Sequence, residues 1–223
     1  KSSKNQIYML KITMKLLSNL KTLTLRSIIS NSYFWKYRHI LQPGWITSYS
    51  EKNNPFFNNL VSDLKIKSIM DFGCGAGSTL YNIKEKNNDI LVYGIDINQK
   101  AINFCNYRFK QKFESGYYFS NSLENSEIEN FLSLNHLQFF DLIVFDRVLY
   151  CLNETQISKI FNCLKNKSKY IFIDDFFQSE ELKTIGYTHR NWDQIMSDFN
   201  FTVIKNEKSI YQPVKNANAR TLI

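Results

Sequence analysis

Acidic residues are missing from the first 50 positions of this 223-residue chain. That stretch holds Lys1, Lys4, Lys11, Lys15, Lys21, Arg26, Lys36 and Arg38, which supply the whole formal charge of +8. The remaining residues balance, with 20 bases against 20 acids. The body is therefore not a polycation, and any role for basic charge falls to the leader. Three readings of the leader stay open. It is an ordinary solvated helix, a targeting segment, or a basic arm for nucleic acid or a membrane surface. Leu16, Leu17, Leu20, Leu23 and Ile28 have roughly helical spacing, which favours the first. The sequence opens on Lys1, so Met9 or Met14 is a candidate natural start.

Cysteine is also sparse. Cys74, Cys105, Cys151 and Cys163 show no CxxC spacing, so neither a disulfide framework nor a zinc site is expected. Reduced thiols and a cytoplasmic location fit that pattern, with organelle targeting by residues 1–30 as the alternative. No apolar run approaches the roughly 18 to 20 residues that span a bilayer. Glycine is scarce too, at seven residues, yet three of the seven stand at 73, 75 and 77.

Apolar, strand-like runs lie at 68–72, 90–96, 117–120, 140–146, 169–175, 201–205 and 219–223. Segments of helical character lie between the first five, at 78–87, 98–112, 126–136 and 154–166. Strand and helix in alternation predict a parallel sheet with helices on both faces. The fourth and fifth runs are almost wholly apolar, as strands buried on both sides are. The last two have no clear helix between them and should pair antiparallel.

The glycines belong to "SIMDFGCGAGSTL" (68–80), a strand, a turn and the start of a helix. Such a loop holds a nucleotide-type cofactor. A dinucleotide fingerprint would need a third glycine at 78, which is Ser78. The pattern is instead Asp71, Gly73, Gly75, Gly77. An acid at that strand end would repel a pyrophosphate. It suits S-adenosylmethionine, which has no phosphate and carries an ammonium and a sulfonium. Asp96, in "YGIDIN", ends the second strand, where its carboxylate can accept from both ribose hydroxyls.

With these two motifs the chain resembles the class I S-adenosylmethionine-dependent methyltransferases. The resemblance covers roughly residues 55–223. It implies a Rossmann-like, mostly parallel seven-stranded sheet of order 3-2-1-4-5-7-6, with the last strand antiparallel. It divides the chain into a basic helical or lid segment, 1–50, and a methyltransferase domain, 51–223. S-adenosylmethionine is the implied cofactor and S-adenosylhomocysteine the product. The implied cofactor residues are Asp71, Gly73, Gly75, Gly77, Asp96, Ile97, Ser122, Leu123, Asp146 and Arg147. Asn121 and Ser122 stand where the family commonly has Gly and Asp, so Ser122 would meet the adenine edge.

The expected reaction is in-line methyl transfer to a small-molecule acceptor, such as a sugar or metabolite hydroxyl. Alternatives are an RNA or protein acceptor held by the basic segment, and a non-catalytic binding module. No Asn or Asp, Pro, Pro, Tyr or Phe tetrapeptide follows strand four, which disfavours N-methylation of a planar amine. Asp146, Asp174, Tyr150 and His189 are the candidate catalytic residues, and His189 is the best general base by its ordinary pKa. A rival comes from resemblance to the metal-dependent macrolide-sugar O-methyltransferases: Asp146 with Asp174 and Asp175 would hold magnesium. The resemblance also implies that the segment before the first strand, 33–50, with six aromatic residues, folds over the cofactor or acceptor as a lid.

Overall fold

The computed structural model describes residues 32–41, 55–177, 190–209 and 219–223. In chain order the elements are α1 (Ser32–Leu41), α2 (Pro55–Asp63), β1 (Ser68–Phe72), α3 (Ser78–Lys86), β2 (Leu91–Ile95), α4 (Gln99–Lys112), β3 (Tyr117–Ser120) and α5 (Asn125–Leu134). There follow β4 (Phe140–Asp146), a 3-10 turn (Leu149–Cys151), α6 (Glu154–Leu164), β5 (Ser168–Phe176), α7 (Trp192–Asp198), β6 (Asn206–Lys208) and β7 (Ala219–Leu222).

The body of the sheet is five parallel strands in the order β3-β2-β1-β4-β5. Alternation of side chains along each strand explains why helices cover both faces. Leu142 and Val144 of β4 enter one core with Ile69, Val92, Leu80 and Phe109. Ile143 and Phe145 enter the other with Met70, Tyr93, Ile157 and Phe161. Apolar residues are thus required at each of positions 142–145, and the continuous run in the sequence follows from it.

Beyond β5 the sheet is slighter than expected. β7 runs antiparallel on β5, and β6 is a three-residue strand antiparallel on β7. The strand expected at 201–205 does not form there. The β6 ladder begins where Asn206 meets Leu222, at the end of β7. Residues 201–203 lie past that end, and a strand needs a neighbour to bond. Phe201 and Val203 pack instead against the core on the α7 side, which accounts for their apolar alternation.

Parallel strands place their carboxyl ends along one edge. Asp71 at β1, Asp96 just after β2, Ser122 just after β3 and Asp146 at β4 are thereby neighbours, although up to 75 residues apart in sequence.

Candidate cofactor and acceptor site

After β1 the chain turns through Gly73, Gly75 and Gly77, all with positive φ (83°, 54° and 73°). L side chains rarely adopt that region. The turn is folded onto β2 by the N–H groups of Gly73 and Cys74, which both donate to the Ile95 carbonyl (2.7 and 2.9 Å). Packing adds a second demand at Gly73. A Cβ there would stand 2.6 Å from Val148 Cγ2, in the segment after β4. A Cβ at Gly77 would stand 3.0 Å from Cys105 Sγ. Gly75 is held from both sides: its N–H donates to Asp96 Oδ2 (2.9 Å) and its carbonyl accepts from Cys105 Sγ (3.4 Å).

Three carboxylates meet at these strand ends. Asp71 is buried, and burial pushes its carboxyl well above the usual range. The charges of Asp146 and Asp96 push it the same way, while Arg147 opposes them. Asp96 is raised by burial as well, against the N–H groups of Asn98 and Gly75 and the charge of Arg38. Its Oδ1 accepts from the Asn98 N–H at 2.8 Å. Asp146 is gripped in two places by Arg147, Nε to Oδ1 at 2.6 Å and Nη2 to Oδ2 at 2.9 Å. Arg147 itself has φ 55°, and its N–H donates to the Asp174 carbonyl at 2.8 Å. A non-glycine residue held left-handed at a strand end is a common mark of a functional turn.

The expected adenine side lies at β2 and β3. Ile97 is 42% exposed, a large apolar side chain open at the rim. Ser122 and Leu123 are half-buried. Ser120 ties their turn down, its hydroxyl lying 3.1 Å from the Ser122 carbonyl and 2.6 Å from Glu127 Oε2.

The second acidic pair is not an open ligand set. Asp174 sits in register with Asp146, but its carboxylate is buried and accepts from Ser209 Oγ at 2.8 Å. Asp175 is fully buried and accepts from the N–H groups of Phe176 (2.7 Å) and Tyr150 (3.0 Å). Among the described residues, no group of three His, Cys, Asp or Glu side chains is placed to hold a metal. Asp174 Oδ2 and both Asp175 oxygens are taken by the fold's own O–H and N–H donors. His189 lies outside the described residues.

The sequence reading missed Arg190. This buried guanidinium donates to the carbonyls of Leu149 (2.9 Å) and Leu152 and to Glu154 Oε1 (2.8 Å). With Asp175 it clamps the turn that carries Tyr150. No local pattern signals it, since its partners lie 36 to 41 residues away. Tyr150 meets the Phe176 ring edge-on at 5.4 Å.

Residues 64–218, more than half the chain, match the family described as Methyltransferase domain. The chain belongs to that family, and with it to the class I S-adenosylmethionine-dependent methyltransferases. Solved structures share the fold. A S-adenosylmethionine-dependent methyltransferase from Aquifex aeolicus is 17% identical at TM-score 0.54, over 81% of this chain and 96% of that one. Magnesium protoporphyrin IX methyltransferase from Synechocystis PCC 6803, solved with bound S-adenosylmethionine, is 15% identical at TM-score 0.57, over 89% and 96%. StiE O-MT, residues 961–1257, is 19% identical at TM-score 0.53, over 68% and 52%, so the chain spans about half of its length. At these identities the likeness is one of fold. No curated protein matches the chain. Among the described residues, no helix is long and apolar enough to cross a membrane.

Burial pushes Asp175 up to about 8, against the two N–H groups and Arg190. Its unfolded value is about 3.9. The folded chain therefore holds a proton that the unfolded chain has released. The stability from that proton is full below about pH 4 and is lost as pH rises to about 8, with a slope of up to about 1.4 kcal/mol per pH unit. Urea unfolding of Asp175→Asn across that window should show a flatter profile than wild type. Parallel profiles would remove Asp175 as the titrating group.

Proposed function

We propose that the chain transfers the methyl group of S-adenosylmethionine to a small-molecule acceptor, with a sugar or metabolite hydroxyl as the leading class. The observation that carries the cofactor half is the trio Asp71, Asp96 and Asp146 at neighbouring strand ends, with Asp71 raised by burial and by the other two acids. Such a socket attracts a cation and repels a pyrophosphate. The residues fit the group.

Asp71 faces the ammonium end. Asp96 spends one lone pair of each oxygen on an N–H and keeps others for the ribose hydroxyls. Ile97 and Leu123 cover the adenine faces, and Ser122 with the Leu123 backbone meets its edge. The glycine turn sets these groups apart at fixed spacing. When bound, the sulfonium supplies a methyl carbon that needs no further activation. The chain's task is then to align the acceptor, exclude water and remove the hydroxyl proton. Arg147 orients Asp146 by its two bonds. His189 is the proposed base, with Tyr150 as the rival on the clamped turn.

The division into a lid segment, 1–50, and a domain, 51–223, belongs to the same proposal. It draws support from the bond between Asn98 Nδ2 and the Trp35 carbonyl of α1, at 3.0 Å. An RNA or protein acceptor held by the basic segment is the second reading, and it rests on the leader's charge alone.

Asp96→Ala should weaken S-adenosylhomocysteine about tenfold or more in a calorimetric titration, since a bonded charged acceptor is worth roughly 1.5 to 3 kcal/mol. Unchanged affinity would contradict the ribose role. Methyl transfer from labelled cofactor to pooled sugars, metabolites and RNA identifies the acceptor. With that acceptor, His189→Ala should cost on the order of 10²-fold in turnover, and a chelator should change nothing. Full turnover in His189→Ala would pass the role to Tyr150.

A further inference from the structure

β7 lies between β5 and β6 in the sheet. β5 has nine residues, Ser168–Phe176, and β7 pairs with Ile173–Phe176 alone. Residues 168–172 therefore run on past the end of β7. On its other side β7 meets the β6 ladder at Asn206, and the pairing goes on for one residue more. The Ile223 N–H donates to the Lys205 carbonyl (3.0 Å), and the Ile223 carbonyl accepts from the N–H groups of Ile204 (2.8 Å) and Lys205 (3.2 Å). Residues 201–203 lie beyond that pairing.

Where β7 stops, a slot the width of one strand is left between 168–172 and 201–204. A groove of about 350 Å³ marks the place. Ile171, Met196, Phe201, Val203 and Leu222, all of one core face, give it an apolar wall. Ile204, 61% exposed, forms its lip. Among the described residues, no strand enters the slot. The charges of the body cancel in sum but not here. Lys169 lines the groove, exposed, with its ammonium 5.1 Å from the Tyr170 ring centroid. None of the described lining residues is acidic.

The shape of the slot selects its occupant. A place that β7 fills further along the sheet is the place of a polypeptide strand, with backbone on both sides to bond. A lipid tail fills volume but offers no N–H or carbonyl. An extended peptide offers both, and its alternate side chains fall on the apolar wall. Lys169 asks for an acid beside them. We propose that this slot docks an extended segment of a partner protein, which enters as a strand in line with β7, sets apolar side chains at alternate positions against the Met196 wall and meets Lys169 with an acidic residue. The incoming strand supplies the neighbour that 201–204 lacks, so the strand expected there forms on docking. The groove opens at the amino ends of the parallel strands, at the edge opposite Asp71, Asp96 and Asp146. The inference is independent of the cofactor reading.

The probes are short capped peptides with valine, isoleucine, leucine or phenylalanine at alternate positions and either glutamate or lysine at both ends. Each is titrated into the full chain, and amide hydrogen exchange is read by mass spectrometry. The glutamate-ended peptides should bind about fivefold more tightly than the lysine-ended ones, the size of one exposed ion pair. They should slow exchange at 168–172 and 201–204. N-methylation of the best peptide's backbone removes its donors and keeps its side chains, and it should abolish binding. Lys169→Glu, with its fold checked by thermal melting, should reverse the preference between the two peptide sets. Binding by no peptide, protection confined to other segments, undiminished binding of the N-methylated form, or an unchanged preference in Lys169→Glu overturns the inference. Dodecanoate tests the amphiphile alternative: if it protects these segments and no peptide does, the inference fails. It fails equally if wild type sediments as a dimer and exchange in these segments speeds up as dilution separates the copies, since a second copy is then the occupant.

Discussion

Asp71, Asp96 and Asp146 repel one another because a parallel sheet leaves them no choice of place. β1, β2 and β4 are hydrogen-bonded neighbours, and all three run the same way. Acids at their carboxyl ends must share a space with little water. Each is handled differently. Asp96 takes two backbone N–H bonds, and Asp146 takes a two-pronged guanidinium. Asp71 has no such bond among the described residues, and its carboxyl is pushed well up. Neutralising it with hydrogen-bonded cationic charge is the simplest relief, and the proposed ammonium partner would provide that. The glycine turn begins two residues after this carboxyl.

The acids one strand further on do something else. Asp174 and Asp175 end in bonds to Ser209, Phe176 and Tyr150. Together with Arg190, Asp175 turns the β5 end into a support for the segment 149–152. Its N–H is held from below by Asp175 and its carbonyls by Arg190. Rigid presentation of that turn matters to an enzyme whose main task is alignment. Asp146 and Asp174 stand in register on adjacent strands, yet the first is held by the neighbouring Arg147 and the second by Ser209.

Much of the fold was legible in the sequence because its causes are local. Double-sided burial writes continuous apolar runs, and the five parallel strands follow from them. The glycine turn was legible for the same reason, since positive φ restricts residue type at the position itself. What escaped has causes far away in the chain. The spacing of Asp96 placed it correctly but gave no sign that Gly75 and Asn98 already bond it. Gly73 is confined by Val148, 75 residues later. Arg190 is defined by carbonyls of another segment. The strand expected at 201–205 kept its apolar alternation but lacked a neighbour at 201–203, and alternation alone does not supply one.

The central claim is that Asp71 is the acid awaiting a cation. Calorimetric titration of S-adenosylmethionine in buffers of different ionisation enthalpy counts the protons exchanged on binding. Burial and the neighbouring acids hold Asp71 raised, and a cation beside it favours the ionised form. Net proton release is therefore expected on binding, and Asp71→Asn should abolish it. Binding with no proton release at any pH between 5 and 8, or release unchanged in Asp71→Asn, would contradict the account.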